Sequence, residues 1–138
     1  MQRMIRRPSN ATERPFLVIW EVTQACDLAC QHCRASAVKQ AHPLALTRQD
    51  GEKLLRDVAA FGKPYPLVVF TGGDPFLRED LTELIAYARS LDLHVGVSPS
   101  ATPLLTRQNL ERIQQAGAQT ISLSLDGSHA LLHDRFRG

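Results

Sequence analysis

The 138-residue sequence predicts an α/β fold, a partial parallel (β/α) barrel of about four βα units. Three observations carry this. Short apolar runs rich in β-branched residues alternate with amphipathic stretches of helical period. The second, third and fourth runs begin at Leu67, His94 and Thr120, 27 and 26 residues apart, a spacing that suits consecutive right-handed βαβ crossovers. Each run also leads into a polar or glycine-rich segment: CDLACQHC, TGGDP, SPSATP and SLDGS.

The first strand is FLVIWEV, residues 16 to 22, bounded by Pro15 and expected to be buried on both faces except at Glu21. CDLACQHC follows as a loop at its C-terminal end. Thr47, with Asp50 three residues on, supplies a helix start, because the two side chains can cap each other's backbone amides. Leu54, Leu55, Val58 and Ala59 give that helix one apolar face, and Gly62 and Pro64 end it. LVVF (67 to 70) is the second strand, closed by TGGDP. A helix over 79 to 91 follows, with Leu81, Leu84, Ile85, Ala88 and Leu91 as its stripe. HVGVS (94 to 98) is the third strand. Thr106 opens a helix that turns Leu110, Ile113 and Ala116 inward and stops at Gly117. TISLSL (120 to 125) is the fourth strand, and SHALLHDRF begins another helix. Three complete helices and an unfinished fourth unit do not close an eight-fold barrel. The expectation is that 15 to 138 form the N-terminal part of a larger parallel barrel or half-barrel.

A hydrophobic content of 43% with 22% charged residues suits a chain with a packed core rather than a disordered one. The net charge of +2 is too small to imply nucleic acid or an anionic membrane as partner. Much of the excess lies in the first 14 residues, where Arg3, Arg6, Arg7 and Arg14 meet only Glu13. That start lacks the apolar core of a secretory signal, and no apolar run reaches the length of a membrane span. Residues 1 to 14 therefore read as a flexible basic tail, and the protein as soluble and cytoplasmic.

Every cysteine of the chain lies in CDLACQHC: Cys26, Cys30 and Cys33. An odd, clustered set in a reducing compartment argues against a disulfide framework, which uses even numbers spread along a secreted chain. Metal ligation, redox chemistry and chance remain, and spacing at i, i+4 and i+7 is an unnatural pattern for scattered core thiols. In parallel α/β folds ligands bind at the C-terminal ends of the strands. Taken singly, TGGDP, SPSATP and SLDGS are ordinary βα turns. Together with the thiols they converge on one face and make a single site.

These residues resemble the radical S-adenosylmethionine (SAM) superfamily: CX3CX2C after a first strand, GGD ending the second, and WEVTQACDLACQHCRASA, TGGDPFLREDL, SPSATPLLT and SLDG through HDRFRG without a break from residue 15. Within it the resemblance is closest to the haem d1 and alternative haem biosynthesis proteins and to PQQ-synthesis-like (SPASM-type) maturases. The resemblance implies a barrel of the radical SAM type and a [4Fe–4S] cluster on Cys26, Cys30 and Cys33. Three ligands leave one iron open for S-adenosylmethionine, whose reductive cleavage gives a 5′-deoxyadenosyl radical for hydrogen abstraction from a small-molecule or peptide substrate. An electron donor such as flavodoxin or ferredoxin is implied too.

Site residues follow one at a time. Gly72, Gly73 and Asp74 match the family's GGE segment at the methionyl ammonium, with Asp one methylene shorter than Glu. His32 stands where an often aromatic residue lies beside the adenine. Ser98 and Ser100 fall on the segment after the third strand, which usually reads Thr-Asn-Gly in the family, and the resemblance implies a role for them toward SAM or substrate. Ser124 matches a residue near the ribose and carboxylate, and Arg137 an arginine that pairs with the SAM carboxylate. Asp126 reads equally as a turn residue and a site residue. The competing readings are a structural zinc site built from the cysteines with His32 or His42, and a cluster-binding fragment without catalysis. His42, His94, His129 and His133 have no ligand spacing and read as surface or turn residues. Lys53, Arg56, Arg107 and Arg112 read as solvated helix faces.

Overall fold

The computed structural model describes residues 13 to 34 and 36 to 138. Most of the basic tail, residues 1 to 12, lies outside them; Arg14 donates to the Lys63 carbonyl at 3.0 Å. Four parallel strands form one sheet in sequence order: β1 (Leu17–Glu21), β2 (Leu67–Thr71), β3 (His94–Val97) and β4 (Thr120–Ile121). The connecting helices are α1 (Arg48–Ala59), α2 (Leu81–Ser90) and α3 (Arg107–Ala116), with α4 (Ala130–Arg137) after β4.

Local chemistry explains the helix ends. Thr47 and Asp50 form the reciprocal capping pair, Thr47 Oγ1 accepting from the Asp50 amide while the Asp50 carboxylate accepts from the Thr47 amide. Thr106 caps α3 through the Asn109 amide, and Gly117 ends it at φ 110°, where a side chain would be strained. The helix over 79 to 91 begins two residues late. A short 3₁₀ turn, Pro75–Leu77, intervenes, and the Asp80 carboxylate is paired with Arg78 instead of capping α2.

One face of the sheet is packed and the other is open. Trp20 pairs in register with Phe70, and Phe70 with Val97; this row, with Val68 and Val95, lies in the core with Leu55, Leu84 and Ile85. Phe70, Leu55, Leu84 and Ile85 are fully buried, each contributing about 1.5–3 kcal/mol of hydrophobic stabilisation. Gly51 is what lets α1 come this close. A Cβ there would stand 2.6 Å from Trp20 Cη2 and 2.9 Å from Leu84 Cδ2.

The expectation that the first strand is buried on both faces fails. Ile19, on the face away from the helices, is 60% exposed. Strands of this hydrophobicity imply cover on both sides, but among the described residues α1, α2 and α3 cover only one. The fourth strand is also shorter than 120 to 125. β4 pairs only with β3, which ends at Val97, so beyond the Ser122 amide bond to the Val97 carbonyl (3.0 Å) the chain has no ladder to join. Leu123 and Leu125 are exposed.

Candidate functional site

The cysteine loop is held by the turn that ends β2. The Val22 amide donates to the Thr71 carbonyl (2.9 Å), Gly73 to Thr23 (2.8 Å) and Asp74 to Ala25 (2.7 Å). This contact requires the glycines. A Cβ on Gly72, which sits at φ 136°, would run into the Thr23 carbonyl oxygen, and one on Gly73 into that of Ala25. On the other side Cys26 donates to the Val38 carbonyl at 2.9 Å and Val38 to Gln24 at 3.1 Å. Arg78 completes the anchor. Its guanidinium lies over the Trp20 ring, 5.3 Å from the centroid, and donates to the carbonyls of Val22 and Leu46 at 3.0 Å each.

All three cysteines are free thiols, Cys26 buried and Cys30 and Cys33 half-buried. They line one cavity of ≈ 300 Å³ together with His32, Gly72, Gly73, Ser100 and Arg137. Each sulfur accepts one N–H: Cys26 from the Leu28 amide (3.4 Å), Cys33 from the Ala37 amide (3.4 Å) and Cys30 from the Arg137 guanidinium (3.7 Å). Donors aimed at sulfur suit metal-bound thiolates, which are far better acceptors than thiols. The donor set therefore fits an iron–sulfur cluster. Among the described residues no three His, Cys, Asp or Glu side chains converge as they would on a single ion. Ligands of a cube hold separate irons and need not share one centre.

Other predicted residues take distinct places. Ser100 bridges the two motifs: its hydroxyl donates to the Gly73 carbonyl at 2.7 Å, and the Cys26 thiol donates to it at 3.8 Å. Asp74 is fully buried behind the turn, with Oδ1 accepting from the Phe76 amide (3.1 Å) and Oδ2 from the Thr102 hydroxyl (2.6 Å). Ser98 continues the sheet through its amide bond to Phe70 (2.8 Å) and does not line the cavity. Ser124 is exposed on the segment after β4 and also lies outside it. Asp126 pairs with Arg137 at 2.6 Å, a close ion pair whose geometry leaves Arg137 Nε without an aligned acceptor.

His32 stacks on Phe136 of α4, centroids 4.5 Å apart and planes within 10°. The Gln31 amide adds a bond to the Phe136 carbonyl (3.0 Å), so α4 docks directly on the cysteine loop. His42 lines a different hollow, beside Trp20 and Glu21, and its Nδ1 accepts from the Leu44 amide. The zinc reading gains no fourth ligand from it. His133 accepts from the Asp126 amide through Nδ1 and so holds a turn.

Sequence reasoning missed Thr102, Arg78 and Phe136. Thr102 lies inside SPSATP, so its segment was already marked as part of the site. Arg78 and Phe136 lie inside TGGDPFLREDL and HDRFRG, so their segments were marked too, but nothing local singles out either side chain: their partners, Trp20 and His32, are distant in the chain.

Comparison with known proteins accords with this geometry. The chain is 48% identical over 122 residues to an AdoMet-dependent heme synthase of Oleidesulfovibrio alaskensis, covering 88% of this chain and 31% of that protein. It is 32% identical to a pre-heme d1 synthase of Dinoroseobacter shibae (96% and 31%) and 33% identical to a PqqA peptide cyclase of Bradyrhizobium diazoefficiens (90% and 32%). The chain thus spans about a third of the length of these relatives. The crystal structure of methylornithine synthase (PylB) shares the fold, with a TM-score of 0.67 at 21% identity over 90% of this chain and 37% of that one. The family model for the Radical SAM superfamily matches residues 20–138, from the strand that feeds the cysteine loop to the helix that docks on it, and this chain belongs to that superfamily of enzymes, whose cofactors are a [4Fe–4S] cluster and S-adenosylmethionine.

Proposed function

We propose that Cys26, Cys30 and Cys33 hold a [4Fe–4S] cluster, and that the cavity they share with Gly72, Gly73 and Ser100 receives S-adenosylmethionine at the open iron. When bound, the pair supplies a 5′-deoxyadenosyl radical for hydrogen abstraction. The observation that carries the reading is that three sulfurs, each met by its own N–H donor, line one cavity with the backbone of the GGD turn.

The protein's share of the work is positioning. The GGD turn fixes the start of the cysteine loop through two short backbone bonds, so its ligands are preorganised. Gly72 and Gly73 present bare backbone to the cavity, suited to a methionyl ammonium. Asp74 supports this turn from behind, since both carboxylate oxygens are engaged there. Arg137 offers a guanidinium for a carboxylate, and His32, backed by the stacked Phe136 ring, supplies the aromatic part of the cavity wall. We place Asp126 as the partner that orients Arg137. Ser98 and Ser124 keep the roles the family resemblance implies, Ser98 toward S-adenosylmethionine or substrate and Ser124 near the ribose and carboxylate.

For the whole enzyme we propose maturation of a haem-type cofactor, with a peptide as the second reading. The 48% and 42% identities to proteins named AdoMet-dependent heme synthase favour the tetrapyrrole. A reduced flavodoxin- or ferredoxin-type protein would deliver the electron, and three free thiols suit the cytoplasm. No nucleic acid is involved in this reading. Among the described residues no helix is long and apolar enough to cross a membrane.

Anaerobic reconstitution with iron and sulfide, followed by EPR of the reduced protein with and without SAM, tests the proposal. About four irons per chain and a spectrum that shifts with SAM are expected. Stoichiometric zinc without a cluster signal would sink it. A cluster that yields no 5′-deoxyadenosine would favour cluster binding without catalysis. The Cys30→Ala variant should hold no complete cube.

A further inference from the structure

The three cysteine sulfurs receive donors of different kinds. Leu28 and Ala37 offer backbone amides within a few residues of their partners, Cys26 and Cys33. Cys30 receives a charged side chain, the Arg137 guanidinium of α4, from far along the chain. The Arg137 side chain is only 14% exposed and that of Asp126 beside it 24%, so both charges act through a partly dry medium. The Asp126 amide is tied to His133 on the same helix at 3.2 Å, which fixes the carboxylate against Arg137.

We propose that Arg137, besides the carboxylate contact given above, raises the reduction potential of the cluster through its bond to Cys30, and that Asp126 attenuates this effect. The inference rests on the reading of the cysteines as cluster ligands. A cation donating to a ligand sulfur stabilises the reduced cluster, which carries one more negative charge, more than the oxidised one. Hydrogen bonds to sulfur and local net charge are among the factors that set these potentials. Asp126 opposes it electrostatically: its negative charge, 2.6 Å from Nε, offsets that of the guanidinium. The cluster's electron affinity would thus be set from α4, not from the cysteine loop alone.

Anaerobic redox titration of the reconstituted chain, read by EPR of the reduced cluster, tests this in wild type, Arg137→Gln, Arg137→Lys and Asp126→Asn. The midpoint should move to more negative potential in R137Q, recover in part in R137K, and move to more positive potential in D126N. An unmoved midpoint in R137Q at wild-type iron content overturns the inference and leaves the cluster reading intact. Should R137Q lose its iron, D126N decides: an upward shift supports the inference, and an unchanged or lowered potential overturns it. A wild-type chain that takes up no cluster overturns both readings together. A merely structural Arg137 would lower iron content without an upward shift in D126N.

Discussion

The Thr102 hydroxyl donates to Oδ2 of Asp74 at 2.6 Å, with both residues buried. This bond joins the turn after β2 to the segment after β3, and it occupies a carboxylate that the family resemblance implies for a bound ammonium group. Thr102→Val removes the donor and leaves a buried carboxylate oxygen unpaired, a loss of about 1–3 kcal/mol. Urea denaturation should show a lowered midpoint in T102V and a near-normal one in Thr102→Ser. Equal stability of T102V and wild type would mean that the bond contributes nothing.

Gly73→Ala forces its methyl group against the Ala25 carbonyl oxygen. Backbone cannot yield here without shifting the residues next to Cys26. The expected result is a folded chain by circular dichroism with reduced iron uptake on reconstitution. Full iron content in G73A would show that the close approach of the two motifs is dispensable.

Gly51→Ala sets two effects against each other. Alanine favours an exposed helix by about 1 kcal/mol, but here its Cβ meets Trp20 and Leu84 at 2.6 and 2.9 Å. Overpacking of a rigid indole costs about 1–3 kcal/mol, so G51A should unfold at lower denaturant. A stabilised variant would show that α1 can move off the sheet at little cost.

The Asp50 carboxyl is held below its ordinary value, first by the Thr47 hydroxyl and then by the Thr47 amide. Its folded value lies below its unfolded one. The capping pair therefore stabilises the charged form above the unfolded value, and that contribution fades as pH falls through the folded value. Thr47→Ala should destabilise the chain at neutral pH and flatten this acid-limb dependence in thermal melts. An acid limb identical to wild type would contradict the assignment.

Some parts of the site were legible because their information is local. The cysteine spacing, the GGD turn, the Thr47 and Thr106 caps and the positions where β2, β3 and β4 start each depend on residues within one turn or one run. The Ser100 bridge could be anticipated only as a segment at the right end of a strand. Its partner, the Gly73 carbonyl, became visible with the parallel register that sets β2 beside β3. Burial of β1 was misread because apolarity reports what a strand can bury and not which of its faces is covered.

The sequence by itself determined the alternation of strands and helices, the clustering of the three thiols in one loop and, through its motifs, the resemblance to the family, because periodicity and motif spacing act over a few residues and survive without the fold. Only the tertiary structure decided which groups meet. It set Asp74 against Thr102, Arg137 between Asp126 and Cys30, and Phe136 on His32, pairs brought together by the sheet and by the docking of α4. Hydrogen bonds and ion pairs act over a few ångströms, so a partner distant in the chain leaves no mark on the local pattern.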